Sequence, residues 1–293
     1  MNVSILGWYG HRNLGDEAIL EGFQYLFHNH RFTVLSDKMP LQEIFWKANQ
    51  SDLFILGGGE LINSTRLFSF PAHWDDYLTV PKMVLGCGVN APNIESIQPH
   101  VLESLESFEY IGLRDLESCR ILRSDPKLSS KIHLFLDPAI TLAKKHGLEH
   151  CPESENTAVI VPTDRFRTEH DEGILHTDYV NQSLPQLKKD LEQDKIENVV
   201  LVPFGGDDND DMESCRQIAH SLSDRLYVST KCPETPRETL EIMAACSKAY
   251  TYRLHGMLFA YSLKMPFNCY EYHRKIRKVY EMLKGYENEL PSL

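Results

Sequence analysis

Short apolar segments that end in glycine or charged residues recur along the first half of the chain, and this alternation most constrains its fold. Such segments occupy residues 3 to 6, 53 to 56, 83 to 85 and 110 to 113. Between the first two, residues 16 to 27 carry apolar side chains at helical spacing. Strands that alternate with amphipathic helices predict a parallel sheet, in which the loops after the strands meet at one carboxyl edge. We therefore expect the glycines that follow these strands to converge.

The same alternation returns in the second half of the chain. A polar stretch over residues 144 to 157 comes first, and apolar strands are then expected at residues 158 to 161, 198 to 203, 226 to 229 and 249 to 252. The chain therefore predicts an α/β fold made of two doubly wound, Rossmann-like domains with parallel sheets.

The polar stretch sets the expected domain boundaries. We predict an N-terminal domain over residues 1 to 148 and a C-terminal domain over residues 149 to 272. Residues 273 to 293 carry apolar side chains at helical spacing from Ile276 onward, which predicts a C-terminal helix that packs back across the junction.

Composition and charge exclude several classes of protein. The 293 residues suffice for two cores, and a net charge of −12 argues against a nucleic-acid partner, whose phosphates require lysine and arginine. No apolar run approaches the roughly 20 residues that span a bilayer. Residues 1 to 10 also lack the features of a signal peptide, so we expect a cytoplasmic protein without a transmembrane segment.

Cysteine spacing and the acidic segments do not indicate a metal site. The seven cysteines are scattered without a C-x-x-C pair, which predicts neither a disulfide framework nor a zinc site. The acidic stretch over residues 205 to 211 lacks the glycine and glutamate positions of an EF-hand, and is more typical of a loop that leads into a helix at Met212. No metal is therefore expected.

The sharpest candidate site is the segment from Tyr252 to Ala260, where a strand gives way to Arg253 and His255 and then to a helix. A helix N-terminus presents N–H groups and the positive end of a dipole, so an anion there would meet backbone donors, a guanidinium and an imidazole. This arrangement predicts a phosphate or carboxylate ligand. The alternative is structural: His255 caps the helix, and Arg253 pairs with a structural carboxylate.

Six short motifs occur in a defined order from the first strand to about Lys275. They are Tyr9-Gly10-x-x-Asn13-x-Gly15-Asp16-Glu17-x-Ile19-Leu20, the triple glycine Gly57-Gly58-Gly59, Gly86-x-Gly88 with Pro92, Arg114-Asp115-x-x-Ser118, Asp137-Pro138-Ala139 and Arg253-Leu254-His255. Each motif alone is weak, but in this order and spacing they resemble the polysaccharide pyruvyl transferase family. The resemblance covers nearly the whole chain.

The resemblance implies a fold, a reaction and partners. It implies two Rossmann-like domains similar to those of GT-B glycosyltransferases, with the active site in the cleft between them. The implied reaction transfers a pyruvyl group from phosphoenolpyruvate to a sugar of a glycan or glycan precursor, usually as a cyclic ketal, with release of phosphate. Phosphoenolpyruvate is then the donor substrate, no cofactor is expected, and the acceptor is a sugar, an oligosaccharide or a lipid-linked glycan.

Carried over residue by residue, the resemblance implies donor, catalytic and acceptor residues. The anionic groups of the donor are expected to meet Arg114, Arg253, Gly256 and Lys275. Catalysis is assigned to His255, Arg253 and Asp16, and the acceptor is expected at Asn13, Gly15, Asp16, Gly58, Gly59 and Glu60 in the N-terminal domain. Arginine suits bidentate pairing with carboxylate and phosphate, and histidine suits proton transfer near neutral pH.

Two of these assignments have structural alternatives. Asp16 is a general base in one interpretation and only a helix cap in the other. Lys275 either meets the donor phosphate or lies on a solvated helix face. The cations beside it, among them Arg274 and Arg277, also allow peripheral contact with the anionic inner face of the membrane. A homo-oligomer is left open as well.

The chain departs from the family pattern at four positions. Glu60 replaces a frequent glycine, Asn63 a common aspartate, Asn90 a usual glycine and His273 an aspartate. Because the first three lie in N-terminal loops, they bear on the acceptor more than on the donor. Two other functions stay open: a nucleotide-sugar-dependent glycosyltransferase of GT-B-like fold, in which Arg253 would hold a diphosphate, and a catalytically silent glycan-binding relative.

Overall fold

The computed structural model describes residues 1–63, 74–163, 179–205, 211–270 and 274–285, and of residues 179–182 it describes the backbone alone. The β-strands are β1 (Asn2–Gly7), β2 (Arg31–Ser36), β3 (Leu53–Ile62), β4 (Lys82–Val89), β5 (Tyr110–Leu113), β6 (Ile132–Leu134), β7 (Ser154–Val161), β8 (Asn198–Leu201), β9 (Tyr227–Thr230), β10 (Cys246–Thr251) and β11 (Phe267–Cys269). The α-helices are α1 (Leu14–Leu26), α2 (Leu41–Ala48), α3 (Pro99–Glu106), α4 (Leu116–Arg123), α5 (Leu142–His146), α6 (Tyr179–Gln193), α7 (Asp211–Leu222), α8 (Pro236–Ala244), α9 (Leu254–Ser262) and α10 (Arg274–Lys284). None of the helices in these ranges has the length and apolar character needed to cross a membrane.

The first sheet is parallel throughout, with the strand order β2-β1-β3-β4-β5-β6. Its central strands β1, β3 and β4 are almost wholly buried, as expected where both faces of a parallel sheet are covered. The ring of Trp74 lies 5.6 Å from that of Phe54 and 5.5 Å from that of Phe108, between ring centroids. This aromatic cluster packs the amino end of β3 against the segment that follows α3.

The second sheet is also parallel, with the order β11-β10-β7-β8-β9. Its core combines the apolar ends of β7 and β8 with Leu187 and Leu191 of α6 and Ile218 of α7. At the edge, the Tyr270 hydroxyl donates to Asp190 of α6 over 2.7 Å. The arrangement places the carboxyl ends of β7, β8 and β10 side by side.

Both parallel sheets confirm the expected α/β class. The sequence did not indicate β2, β6 or β11, which the structure adds as edge strands. β6 and β11 have three residues each, and β2 is only partly buried. Edge strands need less apolar sequence because one side of the ladder lacks a neighbour, and their pattern is therefore weak.

Contacts group the chain into two compact units. The first consists of Met1–Gly10, Ile19–Pro138 and the chain from Arg277 onward, and the second of His11–Ala18 and Ala139–Ile276. The expected boundary at residues 148 and 149 follows α5, whereas the contacts place α5 in the second unit. His11–Ala18 is thus separated in the chain from the rest of its unit by β2 to β6, five of the six strands of the first sheet. Sequence periodicity did not indicate this grouping.

The predicted C-terminal helix corresponds to α10. Within the first unit, Val279, Met282 and Leu283 are buried, and so is Lys278. The Lys278 ammonium donates to the carbonyl of Val89, at the end of β4, over 2.9 Å. A buried lysine must satisfy its charge and its donors, so this contact fixes the position of α10 on β4.

Cysteine labelling tests this fold. Burial raises the pKa of Cys87 to about 12 and those of Cys119 and Cys246 to about 11, whereas Cys151 and Cys232 are exposed. Because the thiolate is the nucleophile, we expect iodoacetamide at pH 8 to alkylate the exposed pair and to spare the buried three, as measured by peptide mass spectrometry. Equal labelling of both groups in the folded protein contradicts this arrangement.

Candidate functional site

The carboxyl end of β10 leads directly into the candidate site of the second unit. Arg253 is the N-terminal cap residue of α9 and has extended backbone angles, φ −114° and ψ 142°. The Thr251 hydroxyl donates to the Arg253 carbonyl over 2.8 Å and accepts the Arg253 N–H over 3.2 Å. Because most of α9 behind it is buried and apolar, the start of the helix is held in one place. The backbone therefore holds Arg253 and His255 in place where β10 ends and α9 begins.

The Arg253 guanidinium is bound on two sides. Its Nε donates to the Pro162 carbonyl over 3.2 Å, and its Nη2 forms an ion pair with Asp211. The Arg253 side chain is 10% exposed and that of Asp211 is fully buried. The carboxylate partner that the structural interpretation expected for Arg253 is therefore present. A planar group held at two atoms has a defined direction, which is also what an anion-binding arginine requires.

Asp211 joins this pair to the end of β8. Its second carboxylate oxygen accepts the Phe204 N–H over 2.9 Å, and the Phe204 carbonyl accepts the Leu14 N–H over 3.2 Å. A chain of contacts therefore runs from Arg253 through Asp211 and Phe204 to the segment His11–Ala18.

His255 lies in the first turn of α9, next to Gly15. A Cβ atom at Gly15 would overlap the His255 imidazole, with Nδ1 as its nearest atom. Only glycine allows this close approach of backbone to ring. This glycine belongs to the segment His11–Ala18, which we call the first loop, and its presence is explained by a residue of α9 that is far from it in the chain.

The start of α1 differs from the expected one. The sequence predicted a helix from residue 16 capped by Asp16, but α1 begins at Leu14 and the Asn13 side chain accepts the Gly15 N–H over 3.0 Å. Asn13, which immediately precedes α1, therefore takes the N-cap position that the sequence assigned to Asp16. Asp16 lies in the first turn of α1 and is half-buried.

The contact between Gly15 and His255 can be tested by a double-mutant cycle. We expect Gly15→Ala to lower the free energy of unfolding by about 1–3 kcal/mol, because a methyl group is forced into an occupied space. In a His255→Ala background the same change is expected to cost much less, since the ring is gone. Denaturant unfolding of the four proteins measures this coupling, and additive effects rule out the contact.

A second group of the candidate residues lies at the carboxyl edge of the first sheet. Arg114 follows β5, is 2% exposed and pairs with the buried Asp137 over 3.3 Å. Its Nε is buried without a hydrogen-bond partner in the described residues and faces Gly88 of β4. Burial opposes the charge, but carboxylates, chiefly Asp137 and then Glu60, hold the pKa of Arg114 above its usual range. The guanidinium thus stays charged among these carboxylate side chains.

The other residues of the Arg114 motif have local roles. Asp115 caps α4, since its carboxylate accepts the Ser118 N–H and the Ser118 hydroxyl, each over 2.7 Å. The Ser118 hydroxyl in turn accepts the Val89 N–H over 3.0 Å. These bonds join α4 to the end of β4 and hold the loop that carries Arg114.

The triple-glycine segment continues β3 to the same edge. Gly58 has φ +79°, and a Cβ there would overlap the Ile19 side chain. Gly59 also has a positive φ, and the pairing of β3 with β4 becomes irregular beyond it. Glu60, which follows, is half-buried and electrostatically coupled to Arg114.

The Arg114–Asp137 pair should be essential to the first unit. We expect Arg114→Ala to destabilise the fold by about 3–5 kcal/mol, because it leaves Asp137 as an unpaired buried charge. Arg237→Ala is the matched control, since the Arg237–Glu241 pair is 61% and 45% exposed and such surface pairs contribute little. Urea unfolding compares the two, and equal midpoints would overturn the structural role of Arg114.

The structure divides the predicted site residues between the two units. Asn13, Gly15, Asp16, Arg253, His255, Gly256 and Lys275 belong to the second unit, and Gly58, Gly59, Glu60 and Arg114 to the first. Lys275 lies half-buried in the first turn of α10, and His273 lies outside the described residues. Sequence reasoning missed Asp211, because it stood at the end of an acidic run that is typical of a solvated loop.

Comparison with known proteins agrees with these observations. A family model described as polysaccharide pyruvyl transferase matches residues 13–274 of the chain. No curated protein matches the chain in sequence. Among solved structures, the UDP-GlcNAc 2-epimerase from Methanocaldococcus jannaschii has 10% identity and a TM-score of 0.58, and the alignment covers 96% of this chain and 87% of that one.

Two further solved structures have a similar fold. The S. aureus MnaA–UDP co-structure has 11% identity and a TM-score of 0.57, over 98% of this chain and 88% of that one. A putative UDP-N-acetylglucosamine 2-epimerase from Listeria monocytogenes has 12% identity and a TM-score of 0.57, over 96% and 82%. At these identities the likeness concerns the fold, and it confirms the expected GT-B-like class.

Proposed function

The chain belongs to the polysaccharide pyruvyl transferase family, and we propose that it transfers a pyruvyl group from phosphoenolpyruvate to hydroxyls of a sugar in a glycan or glycan precursor. The product is a pyruvate ketal, and inorganic phosphate is released. The observation that carries the proposal is the junction of β10 and α9, where an oriented arginine and a histidine stand at the start of a buried helix.

Arg253 is the proposed donor-binding residue. Phosphoenolpyruvate carries a carboxylate and a phosphate, and a guanidinium forms charge-assisted hydrogen bonds with either group. The fixed orientation of Arg253 supports this role, since a bound anion then needs no reorganisation of the arginine. The start of α9, with Gly256 in its first turn, adds backbone N–H groups and the positive end of the helix dipole.

His255 is the proposed acid–base residue. The reaction begins when the methylene carbon of phosphoenolpyruvate gains a proton, which leaves cationic character at C2. A sugar hydroxyl adds at C2 and loses its proton, the C2–O bond to phosphate breaks, and a second hydroxyl closes the ketal. An imidazole can both supply and accept protons in such steps. Its imidazole is held in position by the close approach of Gly15.

Asp16 is the proposed base for the acceptor hydroxyl. Asp16 lies in the first turn of α1, and its carboxylate is suited to accept the proton of a sugar hydroxyl. Glu60 offers a carboxylate to sugar hydroxyls where relatives often have glycine, so it is a candidate for acceptor specificity. Lys275, in the first turn of α10, is the proposed further cation for the donor phosphate.

The buried position of Arg114 favours a role other than the donor binding that the sequence predicted for it. Its pairing with Asp137 and its acidic surroundings support a structural role at the carboxyl edge of the first sheet. Arg253 also pairs with a buried aspartate, but its side chain is 10% exposed and it lies at the start of α9, so we assign the main donor contact to Arg253.

Phosphate release tests the proposed function. We expect wild-type protein to release phosphate from phosphoenolpyruvate only when a suitable sugar or lipid-linked saccharide is present, with a product mass gain of one pyruvyl group. His255→Ala should lower this rate by about 100-fold or more, because general acid–base catalysis is lost. Arg237→Ala, on an exposed helix face, serves as the control that keeps the rate.

The two alternative functions give different results in the same experiment. Absence of phosphate release with every acceptor, together with binding of uridine or guanosine diphosphate, would favour a nucleotide-sugar-dependent glycosyltransferase in which Arg253 holds the diphosphate. Sugar binding without any turnover, unchanged in His255→Ala, would favour a silent glycan-binding protein. Either result contradicts the proposed function.

A further inference from the structure

We propose that Asp211 is a positioning residue of the donor site, which orients Arg253 and at the same time ties the first loop to it. The inference rests on the proposed function for its ligand, but its geometry is independent of the ligand. Asp211 carries no sequence signal of a site residue, because it ends an acidic run at the start of α7.

The Asp211 carboxylate binds two different parts of the second unit. One oxygen pairs with Nη2 of Arg253 and the other accepts the Phe204 N–H over 2.9 Å. The aspartate side chain is fully buried. A buried carboxylate is costly unless it is paired, so its position is set by these two partners. Movement of the guanidinium would therefore break contacts at both ends.

The orientation of Arg253 follows from its two contacts. Nε is held by the Pro162 carbonyl, at the end of β7, and Nη2 by Asp211 at the start of α7. These two nitrogens and their substituents lie in one plane. Fixing both of them sets the direction of the guanidinium plane, and an anion that binds to the arginine must approach in that plane.

Phe204 extends the same network to the first loop. Its carbonyl accepts the Leu14 N–H over 3.2 Å, while Asp211 accepts its N–H. Leu14 immediately precedes Gly15, whose backbone lies against the His255 ring. Asp211 thus orients Arg253 directly. Through Phe204 and Leu14 it also stabilises Gly15, whose backbone lies against the His255 ring. Loss of its carboxylate is expected to disturb both.

The test uses Asp211→Asn in the full chain. An amide of the same size cannot accept hydrogen bonds at both ends, so its NH2 group must face either the Arg253 guanidinium or the Phe204 N–H. We expect the dissociation constant for phosphoenolpyruvate, measured by calorimetry, to rise about tenfold to a hundredfold, as for a lost hydrogen bond to a charged group. Hydrogen exchange in residues 11–18 should become faster.

Two further variants separate positioning from general stability. Ser214→Ala removes another buried hydrogen bond of α7, from the Ser214 hydroxyl to the Thr163 carbonyl, without touching Arg253. It should leave phosphoenolpyruvate binding near the wild-type value. Asp211→Glu retains the carboxylate and should recover part of the binding that Asp211→Asn loses. If Asp211→Asn does not fold, phosphoenolpyruvate binding is compared between Asp211→Glu and Ser214→Ala instead.

The outcomes distinguish this proposal from the proposed function. Unchanged phosphoenolpyruvate binding in folded Asp211→Asn overturns the positioning role, and so does an equal loss in Ser214→Ala. If wild-type protein itself does not bind phosphoenolpyruvate, the proposed function fails. Hydrogen exchange then decides the role of Asp211: faster exchange in residues 11–18 of Asp211→Asn, but not of Ser214→Ala, supports it, and unchanged exchange overturns it.

Discussion

The ion pair between Arg253 and Asp211 is the interaction on which the candidate site of the second unit depends. It joins the carboxyl end of β10 to the start of α7, and through Phe204 it extends to the end of β8. Such a pair gains little net stability, because desolvation of two charges offsets their attraction. Its value lies in geometry: the guanidinium has one orientation before any ligand arrives, which is the condition for strong electrostatic stabilisation of an anion.

The first loop gives this site its second constraint. Asn13 caps α1, Leu14 donates to Phe204, and Gly15 leaves room for the His255 ring. One short segment thus couples the start of α1 to the start of α9, although about half of the intervening chain forms the other unit. In the proposed reaction, the donor carries several negative charges and protons are transferred, so this coupling would keep Arg253 and His255 at a constant distance from each other.

Local sequence patterns explain much of the fold but not these contacts. The central strands and the junction at Arg253 could be predicted, because buried parallel strands are continuously apolar and helices have their own period. The edge strands β2, β6 and β11 could not be predicted, because their apolar patterns are weak. The placement of His11–Ala18 and the partner of Arg253 depend on residues far apart in the chain. Asp211 ends an acidic run in the sequence, and its burial is visible only in the structure.

A crystal structure with bound phosphoenolpyruvate tests the central claim most directly. We expect the carboxylate or phosphate of the donor to lie within hydrogen-bond distance of the Arg253 guanidinium and of the N–H groups at the start of α9. The Arg253–Asp211 pair should be retained, and the His255 ring should lie beside the ligand. Phosphoenolpyruvate bound elsewhere, with neither Arg253 nor the start of α9 in contact, would contradict it.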